Sequence, residues 1–350
     1  SCVPTGFYNK RKCFIEMKSF LFLTSLLPLA LFAPAFAAEE VRVYSGRHYN
    51  TDRQVYKKFS DQTGIKVRLV EASGISLVQR LKSEGKNTKA DVIILVDAAR
   101  INNAANAGLF GNIQSSSLDQ SVPSRYRDPK KRWFGLTRRV RAIIVNPALV
   151  SPSSVTSYSQ LASPALKGKV CLRKRKNVYN QSLVADQLAL KGTAKVKTWL
   201  KGLTNNVSQP YFGGDIGLIR AVAQGQCGVG VVNHYYLARM RAGVNGKKDQ
   251  QFANKVKIVM PKPAHVNISA AAVSRYSKNK KNAVKLIEYL SSPQGSAGLA
   301  GPTYEFPLKG VGGSTYLKGM TKFTPDRVTI SQLSRYNKEA IRLMTEAGWK

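Results

Sequence analysis

Acidic residues are scarce in this chain. Its 350 residues carry 19 Asp and Glu against 55 Lys and Arg, a formal net charge of +36. So few carboxylates argue against a site for Mg²⁺ or Ca²⁺, which draw on that kind of oxygen ligand. No paired-carboxylate site, G-x-S-x-G elbow or Walker loop is present, so an enzyme reading finds no support. Cysteine is nearly as sparse, with four in all. Cys2 and Cys13 fall in a leader, and the spacing and number of the remaining Cys171 and Cys227 do not make a zinc site. Long low-complexity runs are absent, so the chain reads as globular. At 43% hydrophobic it is long enough for two ordinary domains. The apolar run at residues 19–31 is too short for a membrane span and contains Pro28.

That run belongs to an export signal. Met17-Lys18 opens a basic region, SFLFLTSLLPLAL follows, and Ala35-Phe36-Ala37 supplies an A-x-A cleavage pattern. Residues 1–16 precede Met17 and read as an upstream extension. The mature chain is expected to begin near Ala38, after cleavage near Ala37-Ala38, and to reside in the periplasm. No twin-arginine pair precedes the apolar run, which points to general secretion rather than the folded-protein route. Removing 1–37 takes away Lys10, Arg11, Lys12, Lys18 and Glu16, leaving 51 basic and 18 acidic residues, +33. The basic residues are spread along the chain without a nucleic-acid motif, so they read as a solvated surface and nucleic acid is not an expected partner. In an oxidising compartment Cys171 and Cys227, each at a strand start, can form one disulfide; two buried free thiols are the alternative.

The mature chain alternates strand and helix. EVRVYS (40–45), 65–70, DVIILV (91–96), VRAIIVN (140–146), 170–172, 229–232, 255–260 and 266–273 read as strands. Helices are expected at 50–63 (stopped by Gly64), 75–82, 99–107, 181–191, 194–201, 215–223, 282–290 and, as one long terminal helix, 330–347. Repeated strand–helix units imply an α/β fold with mostly parallel sheets flanked by helices. Two such series in one exported chain imply two lobes with a ligand cleft between them.

The stretch GVGVVNHYYLARM (228–240) organises the rest. A buried strand ends and a helix begins at its tyrosine pair, which is where α/β sheets place ligands. His48-Tyr49 in YSGRHYNTD and Tyr179 in NVYNQSLVA occupy similar junctions. Phenolate is a hard anionic donor that suits a highly charged cation such as Fe³⁺. The phenol, with a pKa of about 10, must lose its proton to the metal. His234 and His265 read as ordinary loop histidines, and Tyr44, Tyr56, Tyr211 and Tyr304 as packing residues. The Gly213-Gly214 turn before Asp215 could cradle an anion at a helix N-terminus. That supports an alternative reading as a binding protein for phosphate or sulfate. A third reading, a basic nucleic-acid- or membrane-associated protein, is separated from iron binding by colour, since tyrosinate–Fe³⁺ absorbs in the visible.

With these motifs, ADVIILVDAAR (90–100), WFGLTRRVRAIIVN (133–146) and IRAVAQG (219–225), the chain resembles the ferric-iron-binding periplasmic proteins of iron ABC transporters, specifically the Fut-type branch of the bacterial transferrins, over residues 40–348. The resemblance implies a two-lobed type II periplasmic binding protein that closes on its ligand by hinge motion. It implies one lobe from 38–137 with 265–307 and a second from 138–264 with 308–350. It further implies Fe³⁺, with Fe²⁺ as the other oxidation state, bound by His48, Tyr49, Tyr179, Tyr235 and Tyr236, with Arg239 behind the ligands. A membrane permease is the implied partner and a monomer the implied state. The better-known branch also uses a carboxylate and a bound phosphate or carbonate. Here Asn50 follows Tyr49 and no matching Glu is evident, so the reading gives no place to an exogenous anion.

Overall fold

In the computed structural model, which describes residues 39–208 and 210–350, strands and helices alternate much as the hydrophobic pattern predicts. The leader and its cleavage point lie outside the described residues. Nine strands are present among the described residues. These are β1 (Glu40–Ser45), β2 (Lys66–Glu71), β3 (Val92–Val96), β4 (Phe134–Val145), β5 (Val170–Cys171), β6 (Val229–Asn233), β7 (Lys257–Val259), β8 (Val266–Val273) and β9 (Phe306–Pro307). They join in the order β2-β1-β3-β8-β4-β6-β5, with β7 and β9 pairing onto β4. The outer pairs β1–β2, β1–β3 and β5–β6 are parallel, as strand–helix units require. Around β4 and β8 every pairing is antiparallel, so the sheet is mixed, with its parallel character confined to the outer strands.

β4 is the spine. Phe134–Val140 pair with β8, whereas Arg141–Val145 pair with β6 and in part with β7. The strand begins six residues before the apolar run at Val140 because its polar residues are partnered inside the fold. The Thr137 hydroxyl donates to Glu305 Oε2 (2.8 Å), Arg138 Nε to the Pro307 carbonyl (2.7 Å) and Arg141 Nη1 to Asp215 Oδ2 (2.9 Å). All twelve β4 residues are buried.

Local sequence explains most helix ends. Gly64 closes the helix Asp52–Thr63 at φ 73°, where only glycine is unstrained. The helix Pro293–Thr303 was invisible to periodicity because Gly295, Gly298, Gly301 and Pro302 interrupt it. Its start does carry a signal, since the Ser292 hydroxyl accepts the Gly295 N–H and Pro293 occupies the first turn. A Cβ at Gly295 would lie 1.9 Å from the Tyr289 carbonyl oxygen, so the preceding helix packs directly on its backbone. The long terminal helix expected at 330–347 is two pieces, a 3₁₀ turn Ser331–Arg335 and a helix Asn337–Glu346. The first piece is held by tertiary bonds: Asn102 Nδ2 donates to the Ile330 carbonyl (2.9 Å) and the Ile330 N–H to the Arg125 carbonyl.

Cys171 and Cys227 are disulfide-bonded, 56 residues apart in sequence. A loop of that length, held closed in the unfolded chain, stabilises the fold by about 4 kcal/mol in the chain-entropy account. Reduction should lower the denaturant midpoint accordingly, and a Cys171→Ser/Cys227→Ser double variant should show the same loss and no further response to reductant in urea titrations.

Candidate functional site

The strand ends converge on one cleft of about 290 Å³. Its walls include His48, Tyr49, Tyr179, Tyr235, Tyr236 and Arg239, so every residue expected to bind or back the ligand faces the same space. β6 ends at Asn233, and Tyr235 and Tyr236 lie in the first turn of the helix His234–Arg241. Tyr179 lies in the first turn of the helix Val178–Lys191, capped by the Asn177 side chain. Tyr49 accepts at its carbonyl from Asp52 N–H, at the start of the helix Asp52–Thr63. All four phenols thus sit at helix N-termini, where the aligned peptide dipoles favour negative charge.

The tyrosines crowd one another. The rings of Tyr235 and Tyr236 lie 4.5 Å apart. Burial pushes the Tyr49 and Tyr235 phenols up to about 12. Tyr179 is raised first by neighbouring Tyr235 and then by burial; Tyr236 is raised in the same order, with Tyr179 adding to it. Each phenolate therefore opposes ionisation of the next. Only a concentrated positive charge can hold several ionised together.

Arginines surround this group. Arg47 lies 5.0 Å and Arg239 5.4 Å from the Tyr49 ring centre, Arg139 lies 5.7 Å from that of Tyr235, and Arg173 lies 5.6 Å from that of Tyr179. Arg47 is fully buried and already paired, with Nε to Asp52 Oδ2 and Nη1 to Glu305 Oε1, both at 2.7 Å. Arg139 was not singled out by the sequence reading. It lies on β4 with Nη2 bonded to Glu305 Oε2 (2.6 Å), while its buried Nε and Nη1 have no partner. The only hint in the sequence was the run Arg138-Arg139-Val140-Arg141 inside a buried strand. Burial alone would raise the Glu305 carboxyl, but Arg47 and Arg139 overcome it and hold it at about 2. Glu305 and Asp52 turn toward these arginines and line no part of the cleft, which is bordered by hydroxyls, imidazole and guanidinium groups. Arg239 makes no ion pair among the described residues, so its charge is uncommitted.

One expectation is corrected. His234 and His265 are core residues, 0% and 1% exposed, rather than loop histidines. His234 Nδ1 accepts from Val140 N–H (3.2 Å) while Nε2 donates to the Tyr304 carbonyl (2.9 Å). Burial brings its pKa down to about 3, so the ring is neutral and pins the tyrosine-bearing helix to β4. Beyond the Gly213-Gly214 turn, Asp215 opens the helix Asp215–Ala223 and is bonded to Arg141 and Arg173 at 2.9 and 3.2 Å. Tyr44, Tyr56 and Tyr211 are buried packing residues, as expected.

A mixed sheet sharing one spine strand, with a charged cleft at its strand ends, has the architecture of a binding protein for a small polar ligand. The family model for bacterial extracellular solute-binding proteins matches residues 87–324. Iron uptake protein A1 of Synechocystis is 38% identical over 317 residues, covering 89% of this chain and 88% of that protein. The major ferric iron-binding protein of Neisseria meningitidis serogroup B is 29% identical over 93% of this chain and 98% of its own length. A Trichodesmium structure described as a complex with iron and citrate superposes with TM-score 0.86 at 39% identity, covering 89% of this chain and all of that one. The chain belongs to the bacterial extracellular solute-binding family, in its Fut-type ferric-iron-binding branch, with the type II periplasmic binding protein fold.

Proposed function

We propose that the mature chain captures Fe³⁺ outside the cytoplasm through the phenolates of Tyr49, Tyr179, Tyr235 and Tyr236, with His48 as a fifth ligand, and delivers it to an ABC permease. The observation carrying this reading is the convergence of four tyrosines and a histidine on one carboxylate-free cleft. The names and ligand of the relatives support ferric iron as the cargo. The chain acts as a monomeric carrier rather than an enzyme, exported to the periplasm by its leader. We assign 38–137 with 265–307 to one lobe and 138–264 with 308–350 to the other. The change of β4 partners between Val140 and Arg141 supports a boundary close to that position. Titrating the metal-free mature protein with ferric citrate tests the reading: a visible tyrosinate band that saturates at one iron per chain is expected. A colourless protein that retains no iron would overturn it.

Arg239 is assigned to charge balance. Four phenolates leave −1 with Fe³⁺ and −2 with Fe²⁺ when His48 is neutral, and Arg239 stands over Tyr49 without a partner carboxylate. Loss of a group behind metal ligands typically costs about 10–100-fold in affinity. Arg239→Ala should weaken both oxidation states, Fe²⁺ more, in chelator competition run separately under oxidising and anaerobic reducing conditions. Equal affinities for variant and parent would remove that role.

A further inference from the structure

Away from the cleft, three titratable side chains meet in the core. Asp186 projects from the helix Val178–Lys191, His265 directly precedes β8, and Asp326 follows Pro325, which bridges to Ala264. They are 1%, 1% and 5% exposed. One ligand atom from each lies within 4.8 Å of the others. His265 Nδ1 is 3.2 Å from Asp186 Oδ1, and Asp186 Oδ2 accepts from Gln187 Nε2 (3.1 Å). Asp326 Oδ1 accepts the Val328 N–H (2.8 Å), but Asp326 Oδ2 and His265 Nε2 have no partner.

Burial opposes charge on His265, but the facing Asp186, Asp326 and Asp97 outweigh it and raise its pKa, so the imidazole is the basic side chain set against the two carboxylates. No lysine or arginine among the described residues pairs with either, and Arg125 reaches only the backbone carbonyl of Asp326. Asp97, the nearest further acid, is occupied by the Ser182 hydroxyl (2.7 Å) and Asn267 Nδ2 (2.8 Å). Burial and then the adjacent, hydrogen-bonded Asp186 raise the Asp326 carboxyl above the usual carboxylate range. A buried acidic pair of this kind must hold protons or a cation.

We propose that Asp186, His265 and Asp326 form a second cation site, for a divalent ion of the zinc or manganese class, separate from the iron cleft. One imidazole nitrogen and two carboxylate oxygens are the mixed donor set such ions accept. A dication beside neutral imidazole cancels both carboxylate charges. Bonds of about 2.0–2.2 Å put any two donors no more than about 4.4 Å apart, so the three must draw together around the ion. The ion ties the helix that carries Tyr179 to β8 and to the C-terminal segment. Because the site is closed, it loads as the chain folds.

The test refolds the mature protein from denaturant and chelator with Zn²⁺ or Mn²⁺ present, saturates the cleft with Fe³⁺, and counts metals per chain after desalting. The parent is expected to keep about one divalent ion beside its iron. Asp186→Asn and Asp326→Asn should lose that ion while keeping the visible iron band, which also reports that they have folded. A parent that keeps no second metal would show the cluster to be closed by protons and would overturn the proposal, as would variants that retain the ion. Should neither variant refold, zinc-edge absorption of the iron-loaded parent decides: a single imidazole among oxygen donors supports the site, and any other donor set overturns it.

Discussion

Replacing Tyr236 with Phe should cost more iron affinity than any substitution outside the ligand set. The change removes one donor oxygen and leaves the ring, so packing against Tyr235, 4.5 Å away between ring centres, is kept. The loss should exceed the about 10–100-fold expected for a group behind the ligands. The visible band should fall and shift in parallel, because both arise from phenolate bound to Fe³⁺. Tyr179→Phe and Tyr235→Phe should behave alike, since both phenols line the same cleft and Tyr235 raises the pKa of Tyr179 and Tyr236. Competition against a calibrated chelator measures the loss. Parent-like retention in the Phe variants would remove these tyrosines from the ligand set and leave the crowded phenols as packing.

Acid should release the iron steeply. Tyr49 and Tyr235 lie near pKa 12 without metal, and Tyr179 and Tyr236 are raised as well, so the empty cleft carries its phenolic protons throughout the neutral and acidic range. Binding iron as four phenolates expels those protons, and lowering pH therefore opposes binding. With four protons displaced, the conditional affinity falls by about four decades per pH unit. Iron retention measured against pH at fixed chelator occupancy checks this. A flat profile would exclude phenolate ligation, and a slope near one would leave a single tyrosine on the metal.

The parts legible from sequence were those whose causes are local. β1 and β8 were bounded correctly because uninterrupted apolar or alternating runs end at turn residues, and Gly64 announced a helix stop. The tyrosines were found because a strand-to-helix corner is itself a local pattern. What stayed hidden depends on partners distant in sequence. Thr137, Arg138 and Arg139 lie outside the strand expected at 140–146 until Glu305 and Pro307 arrive to pair with them. His265 reads as a loop residue until Asp186, 79 positions earlier, and Asp326 close around it. The 3₁₀ turn that precedes Tyr336 is anchored at Ile330 by Asn102 and Arg125, both more than 200 residues upstream.

The same remoteness bears on when the chain can fold. β8 is the strand that joins β3 to β4, yet it lies about 170 residues after β3 in the chain. Until Val266–Val273 has been synthesised, β3 and the first half of β4 each present an open edge with nothing to seal it. A nascent chain with its spine unpaired cannot complete a stable core, and loop closure over that distance is slow. The topology therefore sets an order of folding: β3 and the first half of β4 wait for β8, which comes in the last third of the chain.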